Sequence, residues 1–324
     1  MFFDYFCKKN LFLSRNILKS KKMNAKKILF LIVCLCTSML AQAQIKFSFN
    51  PSVGETYSYR FVSEQTVKQT MRGQEIPVNM VMNMLMEMTA KEKNNDEISM
   101  DYSYKEIVMS VSSPMMNIKF DSKSAADSLS GPEMLLSQVL NSLVGKTMNV
   151  IFTPDGSVKS ISGFTAIMED IQKNMSSDNP LAQQELSVFL QSFNEGTMKN
   201  MFEQSFKMYP DKEVTVGDSW NSNVSLTVAA GMNNNIQNTY TLKSVENGIA
   251  VLDVASVANM QSGANIAANM EGELSGGYKG QMILNVQTGM LINSTVEGNI
   301  NGKLTTQGIE ILMDITSKMN VNLQ

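Results

Sequence analysis

The sequence contains no histidine, and its three cysteines, Cys7, Cys34 and Cys36, all lie near the start of the chain. The absence of imidazole excludes a Ser-His-Asp triad, a Cys-His pair and the usual zinc or copper sites. Carboxylate-pair chemistry is the catalytic class that survives, but no acidic pair lies in a supporting sequence context. We therefore expect no enzymatic activity, no metal and no cofactor.

A secretory signal peptide is predicted near the start of the chain. Residues 23–43 carry, in order, a short basic stretch, the apolar run ILFLIVCLCTSML and an Ala-Gln-Ala cleavage pattern. The apolar run is shorter than the about 20 residues that a membrane-spanning helix needs. We expect cleavage after Ala43, with residues 1–22 as an upstream extension from a misassigned start. Residues 44–324 then form a single domain, exported to the periplasm, the outer membrane or the cell exterior.

The predicted mature chain is acidic and free of cysteine. Of the 27 basic and 30 acidic residues, eight Lys/Arg and one Asp lie in the first 43, so 19 and 29 remain, a net charge of about −10. That balance repels phosphate backbones, which argues against a nucleic-acid partner. Because no disulfide can form, a hydrophobic core has to hold the fold together.

Most of the mature chain alternates apolar and polar residues, the pattern of β-strands with one wet face. The longest such segment runs from Ile309 to Leu323, with Leu312 as an apolar exception on its polar side. A phase slip near Lys105-Glu106 predicts a β-bulge. Hairpin turns are predicted at Asp155-Gly156, Asn247-Gly248 and Thr288-Gly289.

Helical periodicity is confined to residues 132–208, where four amphipathic segments accompany one hairpin. Each segment has one apolar stripe that needs a surface to cover, and the apolar side of the strands supplies one. We predict an α+β fold with a large, curved, antiparallel, half-barrel-like sheet and this mid-chain helical cluster packed on its apolar face. The N-terminal strands lie in 44–131 and the C-terminal strands in 209–324.

Methionine occupies every second position of one stretch: Met80, Met82, Met84, Met86 and Met88. On a strand all five side chains point to one face. Three interpretations are open: core packing, a deformable lining for an apolar ligand such as a lipid, or copper(I) capture by thioethers. Without Met1, Met23 and Met39, 24 of the 27 methionines remain and are spread along the chain, which disfavours a dedicated metal site.

Two short segments resemble each other: Val53-Gly54-Glu55-Thr56-Tyr57 and Val216-Gly217-Asp218-Ser219-Trp220. Both read valine, glycine, acid, hydroxyl, aromatic, and both open a predicted strand. The glycine turns the chain, while the acid and the hydroxyl bond nearby amides. Chance recurrence of one turn type and an ancient duplication both explain the similarity. Under either explanation these positions are architectural rather than catalytic.

The segment YPDKEVTVGDSW, Tyr209–Trp220, resembles the P-x-K-x-V-x-V-G-D-S-W signature of a family of exported Bacteroidota proteins of unknown function. The segment GYKGQMILNVQTGMLINSTVEG, Gly277–Gly298, is similar to the closing hairpin of that family. The resemblance implies no activity and no functional residues. The predicted architecture is also similar to the periplasmic lipoprotein carriers, in which a curved sheet and helices enclose a lipid cavity.

Two functions of different class fit the sequence. The first is an envelope protein that binds or carries a hydrophobic small molecule, such as a lipid, between sheet and helices. The second is a structural or protein-interaction module of the periplasm or outer membrane, with a solid core and an envelope protein as its partner. For the first function, the predicted cavity lining is Met80, Met82, Met84, Met86, Met88, Phe189 and Phe193.

Overall fold

A computed structural model describes residues 44–94, 96–124, 132–174, 194–228, 232–262 and 270–324. Residues 44–324 form one compact unit. The predicted upstream extension, the predicted signal peptide and the predicted cavity residues Phe189 and Phe193 lie outside the described residues. Those assignments therefore stay predictions.

The described part of the chain contains twelve strands and three helices. The strands are β1 (Thr56–Met71), β2 (Gln74–Lys93), β3 (Ile98–Ser113), β4 (Met116–Asp121), β5 (Thr147–Phe152), β6 (Val158–Ser162), β7 (Ser219–Val228), β8 (Met232–Glu246), β9 (Ile249–Ser262), β10 (Met270–Asn285), β11 (Leu291–Thr306) and β12 (Ile309–Leu323). The helices are α1 (Pro132–Leu143), α2 (Phe164–Asn174) and α3 (Glu195–Phe206).

The twelve strands form one antiparallel sheet in the order β6-β5-β3-β2-β1-β12-β11-β10-β9-β8-β7, with β4 beside β3. The last strand, β12, lies in the middle, where it pairs with β1 on one side and β11 on the other. The prediction of a large, curved antiparallel sheet is confirmed. Helices are few, and the predicted helical cluster is seen only in part, because residues 175–193 lie outside the described residues.

The locally encoded features of the sheet agree with the sequence pattern. The bulge in β3 is confirmed, because the β2–β3 pairing skips Lys105. Along most of β12 half-buried and exposed residues alternate, and Leu312 is 49% exposed on the polar face. The predicted turns are confirmed between β5 and β6, β8 and β9, and β10 and β11: Asp155-Gly156, Asn247-Gly248 and Thr288-Gly289.

Helix α3 contacts both edges of the sheet, β6 and β7. The Val158 N–H of β6 donates to the Glu203 carboxylate of α3 at 3.1 Å. The Trp220 indole N–H of β7 donates to the Met208 carbonyl, just after α3, at 2.7 Å. The helix thus ties together the first and the last strand of the sheet order, which lie ten positions apart, and it covers part of edges that would otherwise be free to pair. We call the face of the sheet beneath α3 the inner face.

An aromatic cluster fills part of the space beneath α3. The Phe49 ring lies 4.8 Å from the Phe152 ring and 5.3 Å from the Phe206 ring, measured between centroids. The Phe152 and Phe206 rings are 5.0 Å apart. Tilted and edge-on contacts of this kind add to the stabilisation from burying the rings. These three rings therefore form a closely packed part of the core beside α3.

Strands β10 and β11 approach each other closely along the inner face. Five successive inward-facing cross-strand pairs combine one glycine with one larger residue: Gly272–Leu304, Leu274–Gly302, Gly276–Ile300, Tyr278–Gly298 and Gly280–Val296. A Cβ on any of these five glycines would lie 2.0–2.2 Å from a backbone oxygen of the other strand. Such close approach is typical of a sharp bend in a sheet.

The two similar sequence segments build the same junction. In the first, the Gly54 N–H donates to the Ala90 carbonyl at 2.8 Å, and the Ala90 N–H donates to the Glu55 carbonyl at 3.0 Å. The Thr56 and Thr89 hydroxyls bond to each other at 2.9 Å. In the second segment, the Gly217 N–H donates to the Leu242 carbonyl at 2.8 Å, and the Leu242 N–H donates to the Asp218 carbonyl at 3.0 Å. The Ser219 and Thr241 hydroxyls bond to each other at 2.8 Å.

The agreement extends into the following strands. Lys91, which the β2–β3 pairing skips, forms a 3.7 Å ion pair with Asp101, and the Asn149 amide of β5 donates to that carboxylate at 2.9 Å. In the second half of the sheet, Lys243 forms a 3.2 Å ion pair with Asp253, and the Gln281 amide of β10 donates to that carboxylate at 2.9 Å. The strands β1-β2-β3-β5-β6 and β7-β8-β9-β10-β11 also follow one another in the same direction across the sheet. This extended agreement favours duplication over chance recurrence.

Candidate functional site

The methionine row lies on β2 and faces the inner face of the sheet. Met88 is 2% exposed and the other four are half-buried, whereas Val81, on the opposite face, is 42% exposed. Across the β1–β2 ladder, Met88, Met86 and Met84 stand opposite aromatic residues of β1. Thioethers and rings of neighbouring strands therefore form one apolar wall.

Beneath α3 this wall borders a cavity of about 320 Å³. Seven methionines line it, three from the β2 row, two from α3, one from the segment after α3 and one from β10: Met84, Met86, Met88, Met198, Met201, Met208 and Met282. Six aromatic residues complete most of the wall: Tyr59, Phe61, Tyr102, Tyr104, Phe202 and Phe206. The lining is therefore mainly apolar and polarisable, and elements distant in sequence build it.

Local sequence explains how α3 presents its side chains to the cavity. Asn194 caps the helix, and its side chain accepts from the Thr197 N–H at 3.1 Å. Met198 and Phe202, four residues apart, share one face and are buried against the sheet. Met201 lies at the margin of that face and is 40% exposed. The cavity thus opens to solvent beside α3, where Gln204 and Ser205 are also exposed.

The polar groups of the described lining are uncharged. The Tyr59 hydroxyl donates to the Leu291 carbonyl at 3.0 Å, and the Tyr102 hydroxyl donates to the Met86 sulfur at 2.8 Å. Burial raises the pKa of both tyrosines well above the ordinary value, so both stay neutral. Ser294 of β11 is a buried member of the lining. An uncharged, mainly apolar lining of this kind is chemically suited to an apolar molecule.

The predicted cavity residues divide into three groups. Met84, Met86 and Met88 lie together in the described lining. Met80 and Met82 are on the same strand and face but lie farther along β2, where they stand opposite Val111 and Met109 of β3. Phe189 and Phe193 lie outside the described residues. A role in binding stays a prediction for all seven.

Sequence reasoning missed four methionines of the lining. Met198 and Met201 carried a signal, because the helical spacing of α3 places them beside its apolar stripe. Met208 and Met282 carried none, because their positions depend on how the segment after α3 and strand β10 meet β2. Within the described residues, no group of three or more His, Cys, Asp or Glu side chains could hold a metal ion.

A larger groove, of about 870 Å³, lies on the opposite face of the sheet. Cross-strand neighbours along it alternate in charge: Glu64, Lys318, Glu297 and Lys279. The groove is open to solvent, and alternating charges of this kind are typical of the wet face of an antiparallel sheet. The partly enclosed, apolar cavity beneath α3 is therefore the stronger candidate for a ligand site.

Comparison with known protein families assigns the chain to one family. Residues 95–291 match the family of unknown function DUF6263. The chain belongs to this family. Membership of DUF6263 supplies no activity and no functional residues. No curated protein matches the chain.

Among solved structures, lipovitellin, described for its lipid–protein interactions, is 9% identical with a TM-score of 0.43, over 84% of this chain and 25% of that chain. The COG4313 outer membrane channel from Pseudomonas putida F1 is 5% identical with a TM-score of 0.20, over 85% of this chain and 98% of the channel. A DUF1329 family protein from Desulfovibrio piger is 9% identical with a TM-score of 0.13, over 81% of this chain and 84% of that protein. The DUF6263 chain thus spans about a quarter of the lipovitellin chain. At these TM-scores, none of the three structural similarities supports a conclusion about function.

In the described ranges, no helix is both long enough and apolar enough to cross a membrane.

Proposed function

We propose that this DUF6263 protein is an exported envelope protein that binds or carries one hydrophobic ligand, such as a lipid, in the methionine-lined cavity. The lining carries the proposal, because seven thioethers and six aromatic residues from distant elements surround one space. Unbranched, polarisable methionine side chains adapt to apolar ligands of variable shape. The volume of about 320 Å³ falls at the lower end of the range for small-molecule pockets.

Export is part of the proposal. The basic, apolar and small-residue regions of 23–43 support secretion, with cleavage after Ala43. The resemblance of Tyr209–Trp220 to exported Bacteroidota proteins supports the same location. The proposed working arrangement is that of a periplasmic lipoprotein carrier, in which a curved sheet and a covering helix protect an apolar ligand from water.

A non-catalytic interaction module with a solid core is the second candidate. The observation that favours it is strand β7, which lies at one end of the sheet order. A strand at the edge of a sheet can pair with a strand of another protein. This candidate predicts that the cavity stays empty and that cross-linking in the envelope captures a partner through β7.

Binding of the fluorescent probe N-phenyl-1-naphthylamine tests the first candidate. Met84→Phe adds volume inside the lining, whereas Met80→Phe makes the same change on the same strand and face, outside the described lining. We expect saturable probe binding to the wild type and to Met80→Phe, and binding about tenfold weaker to Met84→Phe. Circular dichroism checks that both variants fold. A wild type without saturable probe binding, and without co-purified lipid by mass spectrometry, contradicts the proposal.

A further inference from the structure

On the basis of the proposed function, we infer that the cavity takes a single hydrocarbon chain bearing an uncharged hydrogen-bonding group, a hydroxyl or an ester, and that the Ser294 hydroxyl binds this group. Three features of the cavity carry the inference: a hydroxyl in its wall that forms no hydrogen bond within the described residues, the absence of charge in the described lining, and a volume that suits one chain.

Ser294 lies on β11 between two apolar neighbours of the lining, opposite Met282 of β10 and Val321 of β12. Ser294 is 5% exposed, and none of the hydrogen bonds between described residues involves its hydroxyl, which is not fully enclosed because it borders the cavity. Buried hydroxyl groups in folded proteins are normally bonded. A ligand group that accepts from or donates to the Ser294 hydroxyl would satisfy it.

Two other buried polar side chains are bonded, whereas the Ser103 hydroxyl, which lies outside the described lining, also forms no hydrogen bond within the described residues. The Asn238 side chain accepts from the Ser256 hydroxyl at 2.6 Å, and the Ser137 hydroxyl accepts from the Asn141 amide at 3.3 Å. The Asn234 side-chain oxygen lacks a partner within the described residues, but Asn234 lies on β8 between Met232 and Ile236, outside the described lining. Ser294 thus combines burial, an unpaired hydroxyl and a place in the cavity wall.

The lining decides the charge of the ligand group. Within its described part there is no Lys, Arg, Asp or Glu side chain. A carboxylate or ammonium drawn into the cavity would lose its hydration without gaining a partner of opposite charge, which is strongly unfavourable. A neutral hydroxyl or ester loses far less hydration and regains a hydrogen bond at Ser294.

The volume decides the number of chains. At about 30 Å³ for each water-sized unit, a cavity of about 320 Å³ holds roughly ten such units. That capacity suits one short aliphatic chain, whereas a lipid with two long chains exceeds it. The seven flexible thioethers let the walls follow such a chain.

Displacement of N-phenyl-1-naphthylamine from the full-length protein by 1-decanol and by decanoate at neutral pH tests the inference. We expect decanol to displace the probe at about tenfold lower concentration than decanoate. We expect Ser294→Ala to weaken decanol binding about fivefold and to leave decanoate displacement unchanged. Ser63→Ala, a serine on the inner face outside the described lining, is the matched control and should change neither.

The outcomes separate the inference from the proposed function. If the wild type does not bind the probe, the ligand-binding function itself is wrong. If the wild type binds the probe, but decanol and decanoate displace it equally or Ser294→Ala keeps its affinity for decanol, the cavity binds ligands and the assignment of a neutral group to Ser294 is overturned.

Discussion

The two similar halves of the sheet, β1-β2-β3-β5-β6 and β7-β8-β9-β10-β11, are called here the first and the second repeat. They share their junctions but differ in the side chains that they turn inward. Counted from the aromatic residue at each junction, β2 presents five thioethers on the inner face. At the corresponding positions β8 presents a mixed row: Tyr240, Asn238, Ile236, Asn234 and Met232. The junctions therefore carry the architecture, since both repeats keep them, while the inward rows have diverged.

The difference shows that the fold does not require a methionine row. In β8 the side-chain oxygen of Asn238 accepts a hydrogen bond from the Ser256 hydroxyl of the neighbouring strand β9. In β2 the corresponding position is Met86, which borders the cavity beneath α3. A row of thioethers next to a cavity, in a position where the second repeat uses amides, agrees with the proposed ligand site.

The largest expected effect comes from Gly276→Val, which breaks a feature of the second repeat alone. A Cβ at this position would lie 2.0 Å from the Asn299 carbonyl oxygen. Because the obstacle is backbone of the neighbouring strand, β10 and β11 have to move apart at this position. We expect a loss of about 3 kcal/mol or more in the free energy of unfolding, measured by urea denaturation.

Ser275→Val is the control for this change, because Ser275 is exposed on the opposite face of the same strand. We expect its free energy of unfolding to stay within about 0.5 kcal/mol of the wild type. Equal stability of both variants would show that the glycine pairs do not set the approach of the two strands.

An exchange between corresponding positions of the two repeats, Met86→Asn and Asn238→Met, sharpens the comparison. Met86→Asn puts an amide into the apolar lining, and we expect a loss of about 1–3 kcal/mol and of naphthylamine binding. Asn238→Met removes the acceptor of the Ser256 hydroxyl, and we expect a loss of about 1 kcal/mol with probe binding intact. Fluorescence titration and urea denaturation measure the two effects. Undiminished probe binding by Met86→Asn would show that the row does not form the site.

Features set by near neighbours in sequence could be predicted, and the pairing of distant strands could not. Alternation along Ile309–Leu323 and Met80–Met88 predicted strands and their faces, because side chains of a strand alternate with a period of two. The slip at Lys105 predicted a bulge for the same local reason. The position of β12 between β1 and β11 could not be predicted, because the sequence of a strand does not show which distant strands it pairs with.

The cavity could be predicted in part for the same reason. The row on β2 was visible, and so was the apolar stripe of α3 that carries Met198. That these two elements enclose a common space with Met282 of β10 depends on the curvature of the whole sheet. The position of Ser294 in the cavity wall could not be predicted, because a single serine in an alternating strand looks the same in sequence as any residue of the solvent-exposed face.

The smallest expected effect distinguishes the two junctions by their response to pH. Asp218 accepts from the Thr215 N–H at 2.8 Å and from the Thr215 hydroxyl at 3.0 Å. These hydrogen bonds hold the pKa of the Asp218 carboxyl below its ordinary value of 3.8. Because the folded pKa is lower than the unfolded one, Asp218 contributes stability above the unfolded pKa and loses it as the pH falls through the folded pKa.

Asp218→Asn keeps a side-chain oxygen as acceptor but removes the charge, so it isolates this contribution. We expect the wild type to melt at a slightly higher temperature than Asp218→Asn at about pH 7, and the gap to close towards about pH 3. Glu55→Gln is the matched change at the first junction, where the described contacts give the acid side chain no such hydrogen bonds. If both variants showed the same pH-dependent gap, it would arise from net charge and not from the Asp218–Thr215 contact, and the two junctions would be equivalent in their electrostatics as well as in their backbone hydrogen bonds.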